Sequence, residues 1–266
     1  MSDTKIITQA PVARAGLFFK GVVYLLLGIL AFRAAFHLGG ESVRHADKAG
    51  VFDLVYRQNG GRFMLAVIAA GLICYCFWRL IEAFSNRKIH SDPTRGLARS
   101  GRYLISGLIY GSLAVYAFRM LLFKEHGTGD SRQGLVQALM EQSHGQALVL
   151  IAATILSGVG LYQIYYGLSE KYRKHVYRAG YSESAPYFLV TGKIGYVSRG
   201  VVWMIIAWLF YKAAIHANPA EAGDTGKAFE FLQETTYGAY LIAAVGVGLI
   251  CYGGFNFVRA RYDHFS

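Results

Sequence analysis

Six stretches of the chain, each roughly twenty residues long and dominated by apolar side chains, limit its fold more than any other feature. They cover residues 17–38, 62–84, 103–123, 146–168, 194–216 and 237–258. A helix of about 20 apolar residues crosses a bilayer. Runs this long, without alternation of polar and apolar residues, do not suit strands. Hydrophobic residues make up 54% of the chain and charged ones 16%, against about 25% charged in a soluble domain. With 4 Pro and 3 Cys, disorder, collagen and a disulfide scaffold are excluded. The expectation is an all-α membrane protein, a single membrane domain over residues 1–266. Arg14 followed by an apolar run resembles a signal peptide, but this run recurs later as an internal copy, which predicts that it is retained.

The net charge of +11 suits either nucleic acid or a membrane surface, and the apolar runs decide for the membrane. The Lys and Arg residues divide unevenly between the two sides. Fourteen fall in the tails and in the loops after the second and fourth spans, and six in the other three loops. By the positive-inside rule both termini are expected in the cytoplasm. The basic loops read as topology signals and lipid-headgroup contacts, so membrane lipids are the expected partners and nucleic acid is not.

The chain repeats itself. Gly21-Val22-Val23-Tyr24 returns as Gly107-Leu108-Ile109-Tyr110 and Gly200-Val201-Val202-Trp203. Nine residues after each of those aromatics stands a cation: Arg33, Arg119 and Lys212. Gly71-Leu72-Ile73-Cys74-Tyr75 returns unchanged as Gly248-Leu249-Ile250-Cys251-Tyr252. Each of these follows a glycine, Gly61 or Gly238, by ten residues; Gly145 takes that place in the middle copy. The repeats span 12–84, 97–168 and 190–262. Each holds two spans, so all three insert the same way up as parallel hairpins. A six-helix bundle around a pseudo-threefold axis is the natural closed arrangement. Each outer loop carries a short amphipathic pattern, expected to begin after Asp47, Ser131 or Asp224 as N-cap and to cover the helix ends.

Arg14-Ala15-Gly16, Lys20-Gly21-Val22-Val23-Tyr24-Leu25, Gly71 to Tyr75 with Trp78-Arg79-Leu80, and Tyr196 to Trp203 together resemble a bacterial membrane family catalogued as domain of unknown function 1206. The resemblance covers nearly the whole chain. The middle copy departs from it, with Ser106 where the others have Lys20 or Arg199, and Tyr162-Gln163 in place of Trp78-Arg79. The resemblance implies three tandem two-helix units in a bacterial cytoplasmic membrane, and no particular activity.

Arg33, Arg119 and Lys212 each lie about four or five residues inside the outer end of a span, roughly 6–8 Å deep. Two readings stand. Their long side chains snorkel to the headgroup layer, or they form a ring facing the pseudo-axis and bind an anion, a lipid phosphate or a carboxylate. His37 and His216 follow Arg33 and Lys212 by four residues, a spacing that puts them on one helix face; Phe123 holds that place in the middle copy. The two histidines suit a rim to that site, and as a weaker alternative haem or metal ligands in a redox protein. Neither thiolate nor carboxylate stands at ligand spacing, so no cofactor is implied. On the inner side Arg79, Gln163 and Asn256 occupy equivalent positions, with Glu82 one turn from Arg79. They form either an inward polar layer or, the preferred reading, interhelical hydrogen-bonding glue. Cys74, Cys76 and Cys251 read as buried thiols.

No Ser-His-Asp set, HExxH motif or paired catalytic carboxylates occur, so nothing argues for an enzyme. The leading expectation is a small permease or channel for an anionic or amphipathic solute. The alternative is a non-catalytic, lipid-binding accessory or scaffold protein in contact with other membrane proteins.

Overall fold

The computed structural model describes residues 3–38, 42–86, 93–123, 131–142, 144–173 and 186–262. Among these residues all regular structure is helical. Six long helices alternate with short ones: α1 (Asp3–Ala35), α2 (Lys48–Tyr56), α3 (Gly61–Asn86), α4 (Pro93–Phe123), α5 (Ser131–Met140), α6 (Gly145–Leu168), α7 (Pro186–Ile215), α8 (Thr225–Gln233) and α9 (Gly238–Tyr262). Of the four prolines, Pro93, Pro186 and Pro219 open helical segments, where the missing N–H costs nothing; Pro11 lies in α1 ahead of its apolar part.

Six helices are long and apolar enough to cross a membrane: Ala13–Ala35, Gly61–Ile81, Ser106–Phe123, Gly145–Leu168, Leu189–Ile215 and Gly238–Arg261. The chain is a multi-pass membrane protein. The first span ends three residues earlier than the apolar pattern suggests, because His37 adopts a left-handed φ of 53°. Leu38 N–H then donates back to the Arg33 carbonyl at 2.9 Å, the closure of a Schellman motif. The fifth span ends the same way, with Ala217 left-handed at 51° and Asn218 N–H bonded to the Ala213 carbonyl at 3.0 Å.

The three hairpins are joined by a recurring contact. The second long helix of each packs on the first of the next: α3 on α4, α6 on α7, and α9 back on α1. At these seams the glycine that opens each repeat motif meets the residue fifteen places into the neighbouring second helix. Cβ atoms placed on Gly21 and Gly253 would lie 3.0 and 2.8 Å from each other's carbonyl oxygens. On Gly200 and Gly160 they would lie 2.9 and 3.1 Å from each other's. The middle seam has Cys76 at that position, and a Cβ on Gly107 would sit 3.7 Å from its carbonyl oxygen. Small residues allow this approach, and in lipid close packing drives association.

Within the hairpins, α1 packs on α3 and α7 on α9, whereas α4 and α6 share no comparable packing among the described residues. These contacts fall short of a closed threefold ring. In the most apolar stretches of the first and sixth spans 56% of residues are buried, against 28% and 22% in the third and fourth. The middle hairpin therefore stands at the periphery, and Leu108, Val115, Phe118, Ile151 and Ile155 on its helices are exposed.

The short outer helices do more than lie on the surface. Asp47 caps α2 by accepting from Gly50 N–H at 2.6 Å. Asp224 caps α8 by accepting from Gly226 N–H at 2.8 Å. Ser131 is the first residue of α5 itself, and its side chain lies outside those described. Phe52 of α2 and Phe229 of α8 are fully buried. With α2 packed against α1, α3 and α4, and α8 against α7 and α9, the pair roofs one end of the bundle, the end expected to face outward.

Candidate functional site

The residues singled out by the repeat pattern divide into separate places. Lys212 and His216 share one carboxylate, that of Glu221. His216 Nδ1 lies 2.8 Å from Oε1, and Lys212 Nζ 3.8 Å from Oε2. The hydrogen bond from His216 holds the Glu221 carboxyl below its ordinary range, with Lys212 and Asn218 helping. His37 lies off the end of α1, its Nε2 3.4 Å from Gln233 Nε2, so the helical spacing of four from Arg33 does not run through it. Arg33 is half-buried and Arg119 exposed. At the opposite end Gln163 and Asn256 are buried, and their side-chain oxygens accept no hydrogen bond. Asn256 Nδ2 donates to the Tyr252 carbonyl of its own helix at 2.6 Å. Arg79 Nε donates to the Tyr75 hydroxyl at 2.9 Å, and its guanidinium lies 4.3 Å from the Trp78 ring centre. The Glu82 side chain lies outside those described.

The densest polar constellation is elsewhere, midway between these layers. Lys20 of α1 is 5% exposed, within the first span. Its ammonium sits 5.4 Å from the Tyr252 ring centre, 5.6 Å from that of Tyr110 and 5.7 Å from that of Tyr75. Arg199 of α7 lies over Tyr252 at 4.9 Å and Tyr24 at 5.2 Å. Lys48, the first residue of α2, lies 5.7 Å from both Tyr24 and Tyr110. Three cations and three tyrosines thus alternate in a closed cycle, each ring shared by two cations. Arg79 joins through Tyr75, whose ring is 4.7 Å from that of Tyr110.

Cation–ring contacts contribute about 2 kcal/mol each when desolvated, but a ring face does not neutralise a charge. Carboxylates would, and within the bounds Ala13–Ala35, Gly61–Ile81, Ser106–Phe123, Gly145–Leu168, Leu189–Ile215 and Gly238–Arg261 there is no Asp or Glu, Glu82 standing one residue beyond the second. Hydrogen bonding is also incomplete. Arg199 Nη1 donates to the Tyr252 hydroxyl at 2.5 Å, while Arg199 Nε and the Tyr110 hydroxyl are buried without a partner. Buried polar groups left this way cost free energy and mark a place where a further group fits.

That place adjoins a small cavity between α1, α7 and α9, of about 20 Å³, lined by Tyr24, Arg199 and Trp203 and by aliphatic side chains. Lys48 and Thr225 close its outer side. This volume is room for about one water. Two helix N-termini, those of α2 and α8, therefore begin at its roof, adding partial positive charge to that of the side chains. The site suits a compact anion, held by cations, N–H and O–H donors in surroundings of low dielectric.

The sequence matches the family described as Domain of Unknown Function (DUF1206) three times, over residues 15–86, 102–170 and 194–263. The chain belongs to the DUF1206 family. Each match takes in one hairpin with its short outer helix. The chain is also similar to the uncharacterized protein YxxB of Bacillus subtilis (strain 168), 26% identical over 254 residues, which cover 95% of this chain and 90% of that protein. No solved structure matches.

In the three DUF1206 repeats the residue just before the motif glycine is Lys20, Ser106 and Arg199. This position builds one side of the cluster: Lys20 and Arg199 supply the charges, and Ser106 is the uncharged counterpart beside Tyr75. Reading the motif as a family marker alone missed its chemistry. The signal was a cation within a span, one residue from a glycine that packs against a neighbouring helix, in a span without acids.

Proposed function

We propose that this DUF1206 protein binds a compact anion in the Lys20–Lys48–Arg199 cluster and carries it across the membrane. The observation behind this reading is the cycle of three cations around shared tyrosine rings, with the spans that carry Lys20 and Arg199 holding no Asp or Glu. Removing such charges from water is costly unless a counter-charge accompanies them, and a bound anion supplies it. The small, roofed cavity corresponds to a closed conformation, and passage requires the roof or the inner end to open. In this reading Arg33, Arg119 and Lys212 provide the field that draws anions to the outer end, and Arg79, Gln163 and Asn256 line the inner route. The membrane is the bacterial cytoplasmic one, with both termini inside.

The test is titration of the purified protein with chloride, nitrate and formate, followed by intrinsic tryptophan fluorescence, and anion efflux from vesicles containing it. Lys20→Met and Arg199→Gln should each weaken binding tenfold or more, in proportion to a lost charge-assisted contact of about 1.5–3 kcal/mol. Affinity unchanged in both folded variants would refute the site. Binding without efflux would remove the transport half and leave an anion-binding accessory protein.

A further inference from the structure

The cavity beside the cluster has a wall that anion binding alone does not explain. Four aliphatic side chains line it: Leu27 of α1, Val202 and Ile206 of α7, and Leu249 of α9. All four are buried. Donors stand on the same wall. Arg199 and Thr225 both line the cavity, and Arg199 Nε is buried with no partner. Arg199 and Ile206 are about two turns apart on α7, so along that helix the wall changes from charged to aliphatic over about 10 Å. The enclosed space of about 20 Å³ is that of about one water.

We propose that Leu27, Val202, Ile206 and Leu249 make the site selective for a monatomic halide, chloride or bromide, over polyatomic anions. This deepens the anion reading above and rests on it. Two physical effects act together. The first is size. Such a halide takes up about the space of one water, whereas formate and nitrate carry three and four non-hydrogen atoms. Fitting them forces apart side chains packed on three helices, and overpacking is costly. A misfit of one methylene in an apolar pocket changes affinity about tenfold or more. The second effect is hydrogen bonding. Each oxygen of an oxyanion seeks a donor, and an oxygen turned to an aliphatic side chain finds none. A buried acceptor left without a donor costs free energy. A halide is spherical. It can take its donors from the part of the wall that holds Arg199 and Thr225 and lie against aliphatic groups elsewhere.

Hydration excludes further classes. Sulfate and hydrogen phosphate carry two negative charges and hold water more strongly than chloride, and aliphatic side chains replace none of the hydrogen bonds they would lose. Fluoride, the most strongly hydrated halide, is disfavoured for the same reason. Trp203 supplies a reporter within the site. Of the three tryptophans, Trp203 is buried and lines the cavity, Trp78 does not line it, and Trp208 is exposed. Bromide quenches indole fluorescence on contact by the heavy-atom effect, and chloride does so far less. Bromide held in the cavity therefore quenches Trp203 along a saturating curve, whereas free bromide meeting Trp208 gives a quench that only rises in proportion to its concentration.

The experiment uses the full chain in detergent, with bromide as probe and chloride, nitrate, formate and sulfate as competitors, at constant ionic strength balanced with gluconate. Bromide should quench the wild type along a saturating curve, and chloride should reverse the quench. Nitrate and formate should need concentrations about tenfold higher or more to do the same, and sulfate should not compete. Trp203→Phe should remove the saturating quench. Leu249→Ala and Val202→Ala, which enlarge the cavity, should bring nitrate and formate to within about threefold of chloride. Nitrate or formate competing as well as chloride in the wild type would overturn the selectivity and leave the anion site standing. A saturating quench that survives Trp203→Phe would move the halide out of this cavity and overturn the proposal. An undiminished preference for chloride in both enlarged variants would take selection away from the aliphatic wall, also overturning it. No saturable effect of any of these anions would overturn the anion reading and the selectivity together. The wild-type competition order decides the matter even if a variant fails to fold.

Discussion

Replacing Gly28 with alanine should separate α1 from α9, the most extensive helix pair in the molecule. A Cβ at Gly28 would sit 2.5 Å from the Gly246 carbonyl oxygen and 2.7 Å from Ile250 N, both main-chain atoms. Ordinary contact begins near 3.4 Å, so relief at the carbonyl requires a shift of about 0.9 Å that no side-chain rotation can supply. A gap of that size forfeits roughly a quarter to a half of each contact's dispersion energy along the seam. Forced expansion of a packed core costs about 1–3 kcal/mol. The upper end applies, because the obstacle is backbone on both sides. Alanine returns about 1 kcal/mol in helix propensity. The net is a loss of about 2 kcal/mol, or about thirtyfold in the folding equilibrium. The matched control is Gly254→Ala on α9, where an added Cβ meets nothing within 4 Å; it should gain the propensity term alone. The two variants should therefore differ by about 3 kcal/mol. Reversible unfolding in mixed micelles with increasing dodecyl sulfate, followed by tryptophan fluorescence, measures both. If Gly28→Ala proves as stable as Gly254→Ala, the seam does not depend on close backbone approach.

Two further outcomes are expected. His216→Ala should raise the titration of Glu221 back toward the ordinary carboxylate range, because the hydrogen bond from His216 is the main cause of its depression. Any stability carried by this pair is present above that range and lost as pH falls through the lowered value, so the variant should match wild type in acid and differ at neutral pH; carboxyl-resolved NMR across pH checks both. Reporter fusions after Ser91 should read as cytoplasmic and fusions after Gly223 as external, since the tails and inner loops hold fourteen cations to six; an external signal after Ser91 would reverse the orientation.

The fold was legible because its determinants are local. Twenty-residue apolar runs and repeated glycines are properties of contiguous sequence, and the capping roles of Asp47 and Asp224 follow from their place before a short amphipathic pattern. The gap between α4 and α6 was not legible. The middle repeat keeps the spans but has Val159 where the flanking repeats have Tyr75 and Tyr252, so it contributes less to the interior. The site was legible only in part. Arg33, Arg119 and Lys212 stand out in sequence because they interrupt apolar runs near helix ends, where a long side chain can reach water without a partner. Lys20 and Arg199 interrupt such runs more deeply, but their meaning depends on rings from other helices. Tyr252 is 232 residues from Lys20 in sequence and within 5.4 Å of its ammonium in space. No spacing rule within one helix expresses that contact.

The same reasoning explains why the repeats diverged where they did. Three identical hairpins would place three cations before the three motif glycines, all converging at mid-membrane, where like charges in low dielectric repel strongly. Ser106 removes one of the three. Lys48 then enters from the roof, attached to a short helix, not to a span. A charge on a span is fixed at its depth, whereas one at the start of a nine-residue helix moves whenever that helix lifts. Exchanging a fixed cation for a roof-borne one makes the cluster's charge depend on whether the roof is closed. In the proposed reading, occupancy by an anion and closure of α2 and α8 are favoured by the same contacts.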